Sequence, residues 1–505
     1  MAEKLRRHVV SSGIGERSRR DRRGRRRQER ALINEAYRAE AEEQKRVARA
    51  ETAAWRSPDF LPAAGEEGAH ALRNRRLFRS PKHRTNTGLL ALAYPFLADP
   101  GLGTQGIMMG RNLLGGSAFV YDPFVLYKLG ILSDPNIIIA GKVGLGKSTL
   151  IKCLTSRGSS FGYRSYVPAD VKGEWTEPAL AMGGKAFVIG PGMATRLNLL
   201  ARPLRRPAGM SAEAWEITSR NRRSALLEAI AEPLMGRLFA AEERSALGYA
   251  LDQVLRREAI EPTLGELVHE LYYPEKDAHG RVPDGFRDLD ELQDQSRRVG
   301  HGLARLTRGA LSGIVDGKST VQFDTTAPMV TVDVSRLQGN ELLDVLMTCT
   351  SSWMESSLQD GTDDRRFMVY DEAWRVVGRP QLLRRLQHDW KVARNWGISN
   401  IMAIHGFGDL ETAGAGADAA MANNLVSDSS TVISFRQTGK AVEKAQGMLD
   451  LTDTASSLLR DLRKGQSLWR IGQAMSLVQI TRTPREAARF DTDERMNGEG
   501  SDVAA

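Results

Sequence analysis

The chain has 505 residues, of which 41% are hydrophobic and 26% charged, and a formal net charge of +9. That length predicts two or three domains, and the composition excludes a fibrous or wholly disordered chain. Two cysteines, Cys153 and Cys349, exclude a disulfide framework and point to a reducing compartment, while no apolar run approaches the roughly 18 residues of a membrane span.

In chain order, residues 1–53 read as a basic N-terminal arm, disordered or helical. The first thirty hold twelve Lys or Arg against four acids, so nearly all of the net charge sits there, and they carry no apolar h-region of a signal peptide. Such an arm can hold nucleic-acid phosphates or anionic lipid headgroups, or act only as a solubilising tail. Residues 54–86, with Trp55, Pro58, Pro62 and a basic stretch from Arg73 to Arg84, read as a linker. Residues 87–204 open an α/β domain with short strands up to residue 134. Apolar strand candidates follow at Asn136–Ala140, Tyr163–Asp170 and Ala186–Ile189. Residues 205–308 show apolar spacing of helical period and no convincing strand, so they predict an all-helical insertion. The α/β pattern resumes over 309–485, with strand candidates at Met329–Val334, Phe367–Tyr370, Asn400–Ile404, Thr431–Phe435, Ser467–Ile471 and Leu477–Thr481. Strands separated by helices predict a mostly parallel central sheet. Residues 486–505 read as a polar tail.

One loop carries chemistry by itself. Gly141, Lys142, Val143, Gly144, Leu145, Gly146, Lys147 and Ser148 match the G-x-x-x-x-G-K-[ST] phosphate loop at every position, and Thr149 follows. The loop lies between a strand candidate and a helix, the context in which backbone N–H groups surround a phosphate chain. Lys147 is placed to reach the β- and γ-phosphates of ATP and the Ser148 hydroxyl to hold Mg²⁺. Further on, the apolar run Arg366–Tyr370 ends in Asp371 and Glu372. Asp371 fits a contact to Mg²⁺ through its water shell, and Glu372 fits the base that activates the attacking water.

Together these motifs resemble the energising ATPases of type IV secretion and conjugation, the VirB/TraC type, within the wider HerA/FtsK superfamily of P-loop motors. The resemblance covers about residues 85–485. It includes Asp170, Lys172, Gly173, Glu174 and Trp175 after the second strand, the Gly183 and Gly184 pair, Pro191, the stretch Arg196 to Leu200, Asp371, Glu372, Ala373 and Trp374, and a closing segment of Leu462 to Gly465 followed by the strand pair up to Thr481. It implies a RecA-like core with an all-helical insertion, ATP and Mg²⁺ as ligands, and ATP hydrolysis in a self-assembled ring, a hexamer. It also implies secretion-channel and coupling-protein partners, and a cytoplasmic seat peripheral to the inner face of the cell membrane. Two departures stand out. Only a short arm and linker precede the motor, and His405 stands where the family has a γ-phosphate-sensing Gln. Arg394, which matches the first Arg of the family's R-K-x-G segment, and Arg436, at the end of a strand candidate, are the expected cations for the transition state. The competing readings are a DNA-pumping translocase or coupling protein of the same superfamily and a nucleotide-binding scaffold without turnover.

Overall fold

The computed structural model describes residues 101–490, apart from gaps at 203–205, 207–208, 310, 323, 338–342, 359–363, 374, 376–382, 384–385, 388–389, 409 and 411–423, together with scattered positions between 31 and 46. Those scattered positions are helical and belong to a unit separate from the rest. The linker at 54–86, the first residues of the expected α/β domain, the remainder of the basic arm and residues 491–505 lie outside the described residues.

The apolar runs become strands of one sheet. In chain order they are β1 (Ile107–Asn112), β2 (Ala118–Tyr121), β3 (Ile137–Ala140), β4 (Arg164–Asp170), β5 (Lys185–Val188), β6 (Met329–Asp333), β7 (Arg366–Tyr370), β8 (Ile398–Ile404), β9 (Thr431–Ser434), β10 (Gln466–Ile471) and β11 (Ala474–Ile480). Their spatial order is β2-β1-β11-β10-β9-β3-β8-β7-β4-β6-β5. From β9 to β5 every neighbouring pair is parallel. β3 shows why: Ile137, Ile138, Ile139 and Ala140 are all fully buried, as strands covered on both faces must be. The other four strands are antiparallel additions. β10 and β11 are joined by a tight turn with Gly472 at φ +57°, which brings the chain straight back instead of through a crossover helix.

The topology places chemistry at one edge. β3, β8, β7 and β4 are consecutive in the sheet and point the same way, so the loops that follow them emerge side by side. At about 4.8 Å per strand, the loops after β3 and β7 sit about 10 Å apart, with β8 between them. Ligands of open α/β sheets bind at this carboxyl edge.

Helices cover the sheet. α1 (Pro123–Lys128) is capped by Asp122, α2 (Lys147–Ser159) follows the glycine-rich loop, and α3 (Thr176–Ala181) follows β4. Between β5 and β6 lie α4 (Ala212–Met235), α5 (Ala241–Arg257), α6 (Leu264–Tyr272) and α7 (Leu289–Arg308). The ends of these helices are locally encoded. Ser211 caps α4, Gly236 ends it in the left-handed region, and Thr263 with Glu266 forms a reciprocal capping box on α6. Apart from a small cluster of Ala246, Phe286 and Leu292, their apolar faces join the core under the sheet. Leu227, Leu251, Leu267 and Leu303 belong to one buried cluster that also contains Ile138, Val330 and Met402 of the sheet.

α8 (Leu343–Leu358) precedes β7, and α9 (Lys440–Leu449) and α10 (Asp453–Asp461) link β9 to β10. α11 (Pro484–Phe490) corrects the expected start of a polar tail at residue 486, because Glu486 and Phe490 are fully buried. The segment reads as polar because the charge of Glu486 is matched from far away. Arg157, at the end of α2, donates to both of its carboxylate oxygens at 2.9 and 2.8 Å.

Candidate active site

The phosphate loop is shaped by its glycines at two points. Gly146 caps α2 at φ +107°, and no side chain satisfies the helix's first N–H groups, so they stay available to an anion. At Gly141 a Cβ would stand 2.6 Å from the Cβ of Phe435, so only glycine lets the loop leave β3 so close to the end of β9. Lys147 is buried, and its ammonium donates to the carbonyls of Gly141 and, at 3.2 Å, Lys142. The Lys142 ammonium instead turns away to Thr438 at 2.9 Å.

Across β8, the acidic pair meets this loop. Ser148 Oγ donates to Asp371 Oδ1 at 3.2 Å, although 223 residues separate them. The other oxygen of Asp371 accepts from the indole N–H of Trp175 at 3.0 Å. Asp371 is therefore held from both sides. The loop after β4 is itself fixed by Asp170, whose carboxylate accepts the backbone N–H groups of Glu174 at 3.1 Å and Trp175 at 2.7 Å. Burial pushes the Asp170 carboxyl up to about 6; the two N–H bonds pull against that, and nearby Asp333 adds to it.

Glu372 is buried, with two nitrogen-bearing neighbours. Lys172 Nζ lies 2.6 Å from Oε1, and His405 Nε2 lies 3.7 Å from Oε2. Burial works against the charge of Lys172. Its hydrogen bond and attraction to Glu372, aided by Glu174 and Asp371, outweigh burial and hold the ammonium above the usual lysine range.

These groups line a cavity of about 490 Å³. The phosphate loop contributes Val143, Gly144, Gly146, Lys147, Ser148 and Thr149, whereas Gly141, Lys142 and Leu145 support the turn from outside the cavity wall. Lys172, Glu174, Asp371, Glu372 and His405 form the facing side. The last wall, Lys464, Gly465, Gln479, Ile480 and Arg482, comes from the start of β10 and the end of β11. Gly465 N–H bonds to the Leu145 carbonyl at 3.1 Å, which brings that wall against the loop.

Not every expected residue converges. Arg394 is exposed on the turn before β8, at the opposite edge of the sheet from His405, so the seven residues of β8 put about 20 Å between them. Arg436 is exposed just after β9 and does not line the cavity. The cations that do line it beside Lys147 are Lys172, Lys464 and Arg482. Lys172 lies within the recognisable D-x-K-G-E stretch and Lys464 within the Leu462 to Gly465 segment that resembles the family's closing segment; Arg482 carries no local motif, because only strand pairing brings it to the loop.

Among the described residues no group of three His, Cys, Asp or Glu is placed to hold a metal alone. The pair Ser148 and Asp371 fits a Mg²⁺ ion that arrives with phosphates. The Ser148 hydroxyl would bind such an ion, and Asp371 Oδ1, 3.2 Å from that hydroxyl, would accept from a water of its shell. No helix of the described residues is long and apolar enough to cross a membrane.

No protein-family model matches the sequence, and no curated protein matches it. Among solved structures, the fold is similar to that of VirB4 of Thermoanaerobacter pseudethanolicus, with 21% identity, a TM-score of 0.62, and coverage of 77% of this chain and 99% of that one. It is also similar to the plasmid coupling protein TrwB. The structure of TrwB with the ATP analogue ADPNP gives 12% identity, a TM-score of 0.51, and coverage of 81% and 96%. The structure with ADP and Mg²⁺ gives 13%, 0.51, 81% and 97%. The chain therefore has the RecA-like P-loop NTPase architecture, with a mixed α/β fold around a mostly parallel sheet, as the sequence predicts.

Proposed function

We propose that this chain is an ATP-hydrolysing motor of a conjugative or type IV secretion apparatus, powering substrate transfer or pilus assembly through an oligomeric ring. The observation that carries the reading is the meeting of Ser148 with Asp371, beside Glu372, in one cavity at the carboxyl edge of the sheet. The likeness to VirB4 and TrwB supports the apparatus, and the phosphate loop supports the substrate.

In this reading the N-terminus of α2 and Lys147 bind the phosphate chain, and the N–H groups of the loop neutralise charge without reorganising. Ser148 and Asp371 hold Mg²⁺, which when bound offsets charge on the β- and γ-phosphate oxygens. Trp175 keeps Asp371 oriented, Glu372 takes the proton of the attacking water, and His405 stands within reach of the same carboxylate. Arg394 and Arg436 are the candidates for a cation supplied by a neighbouring copy. Their exposure outside the cavity suits an intersubunit role better than one within the chain. The helical segment 205–308 is an insertion between two parts of the ATPase domain, 87–204 and 309–485. Secretion-channel and coupling components are the partners beyond self-association, the basic arm contacts DNA or anionic lipid, and the protein works in the cytoplasm at the inner membrane face.

The test is nucleotide binding and turnover of the full chain with Lys147→Ala and Glu372→Gln. Lys147→Ala should abolish binding. Glu372→Gln should bind ATP and lose turnover by about 10²-fold or more. Normal turnover in Glu372→Gln removes the base from the mechanism. Strong, salt-sensitive stimulation by DNA would instead favour the translocase reading.

A further inference from the structure

We propose that Lys172 is a two-position sensor of the γ-phosphate, pairing with Glu372 when the terminal phosphoryl group is missing and transferring its ammonium to that group when ATP binds. The inference rests on the reading of the cavity as an ATP site and adds a positioning residue to it.

The starting point is how Glu372 is engaged. A general base needs a carboxylate lone pair aimed at water. Here Oε1 is taken by Lys172 at 2.6 Å, and Oε2 faces His405 Nε2 at 3.7 Å. The base is thus latched by a cation that also lines the cavity. The latch can exchange because its two halves differ in burial: the Lys172 side chain is 37% exposed, so its ammonium can move through solvent-accessible space, whereas Glu372 is fixed in the wall at 8%. A lysine ammonium is a compact charge on a flexible four-carbon stem, suited to two positions within one cavity.

The backbone beneath it is not free to follow. Asp170 ties down the N–H groups of Glu174 and Trp175, and Thr176 Oγ1 bonds to Asp333 at 3.1 Å. Trp175 is fully buried and anchored to Asp371. Two rigid points thus flank a mobile side chain, so the ammonium rather than the loop is the moving part. The terminal phosphoryl group of ATP brings strong acceptors and negative charge that ADP does not. Glu372 and that phosphoryl group then compete for one cation, and ATP frees the base that acts on it.

The experiment titrates full-length protein with a non-hydrolysable ATP analogue and with ADP, each with Mg²⁺. Five proteins are compared: wild type, Lys172→Met, Lys172→Arg, Glu372→Gln and the double variant of Lys172→Met with Glu372→Gln. Lys172→Met should weaken the ATP analogue about tenfold, the scale of one lost charge-assisted hydrogen bond, and ADP by less than about twofold. Glu372→Gln, which removes the competing charge, should tighten the ATP analogue several-fold, and that gain should vanish in the double variant. Lys172→Arg should recover most of the preference for the triphosphate. Equal weakening of both nucleotides, no weakening of either, or a gain from Glu372→Gln that survives without Lys172 would each overturn the sensor. Failure of the wild type to bind either nucleotide would instead overturn the ATP-site reading itself.

Discussion

Replacing Trp175 by Phe tests whether the indole N–H sets the metal-binding geometry. The substitution keeps most of a fully buried ring and deletes one donor, the Nε1–H that meets Asp371 Oδ2 at 3.0 Å. What remains on that carboxylate is Ser148 Oγ at 3.2 Å on the opposite oxygen, which leaves the plane free to turn about a single contact. A hydrogen bond to a charged acceptor contributes about 1.5–3 kcal/mol, equivalent to roughly a 10- to 150-fold change in an equilibrium that depends on it. The expected outcome is a loss of that size in apparent Mg²⁺ affinity of the nucleotide-bound protein, with nucleotide binding in EDTA unchanged. Fluorescent-nucleotide titrations across a Mg²⁺ series read both quantities, and the urea midpoint reads any loss of packing separately. Superimposable Mg²⁺ curves for Trp175→Phe and wild type would refute the reasoning, because Asp371 would then be oriented by something other than this bond.

Three further outcomes follow from the packing. Asp170 titrates at about 6 in the folded chain against an ordinary 3.8, so the folded state holds its proton more tightly. This contribution to stability is present below about pH 4 and falls by about 3 kcal/mol as pH rises through 6; urea midpoints from pH 4 to 7 should lose that slope in Asp170→Asn, and parallel curves would contradict it. Arg157→Met should destabilise by about 3–5 kcal/mol, because it removes the cation paired with the fully buried Glu486, and Arg157→Met with Glu486→Met should recover part of that loss. A single-variant change below about 1 kcal/mol in urea unfolding would show the pair to be dispensable. Gly141→Ala should displace the loop, since its Cβ meets Phe435 at 2.6 Å. Nucleotide affinity should fall in calorimetry and return in part when Phe435 is also reduced to Gly, which removes the clashing Cβ, while unaltered binding in the single variant would exclude that contact as a determinant of loop shape.

Much of this was legible in the residues because it is local. Ile137 to Ala140 form a strand buried on both faces, and Gly146 and Lys147 form a strand-to-helix turn. Each is decided by contacts within a few positions, so a linear pattern is enough to read it. The mostly parallel sheet followed from strands alternating with helices, and its RecA-like form from the resemblance carried by the nucleotide motifs.

What the tertiary structure alone decided is non-local. That Asp371 rests between Ser148 and Trp175, that Lys172 occupies the oxygen of Glu372, and that Lys464 and Arg482 complete the cavity all depend on the strand order β3-β8-β7-β4 and on the hairpin of β10 and β11. Likewise, Glu486 looks like a tail residue until Arg157, 329 positions earlier, is folded against it. Arg394 is placed by β8 at the far edge of the sheet from its own chain's cavity, which no local pattern foretells. Residue type sets what a side chain can do, but Coulomb forces and hydrogen bonds act over a few ångströms of space rather than of sequence. Only the assembled sheet determines which of these groups meet.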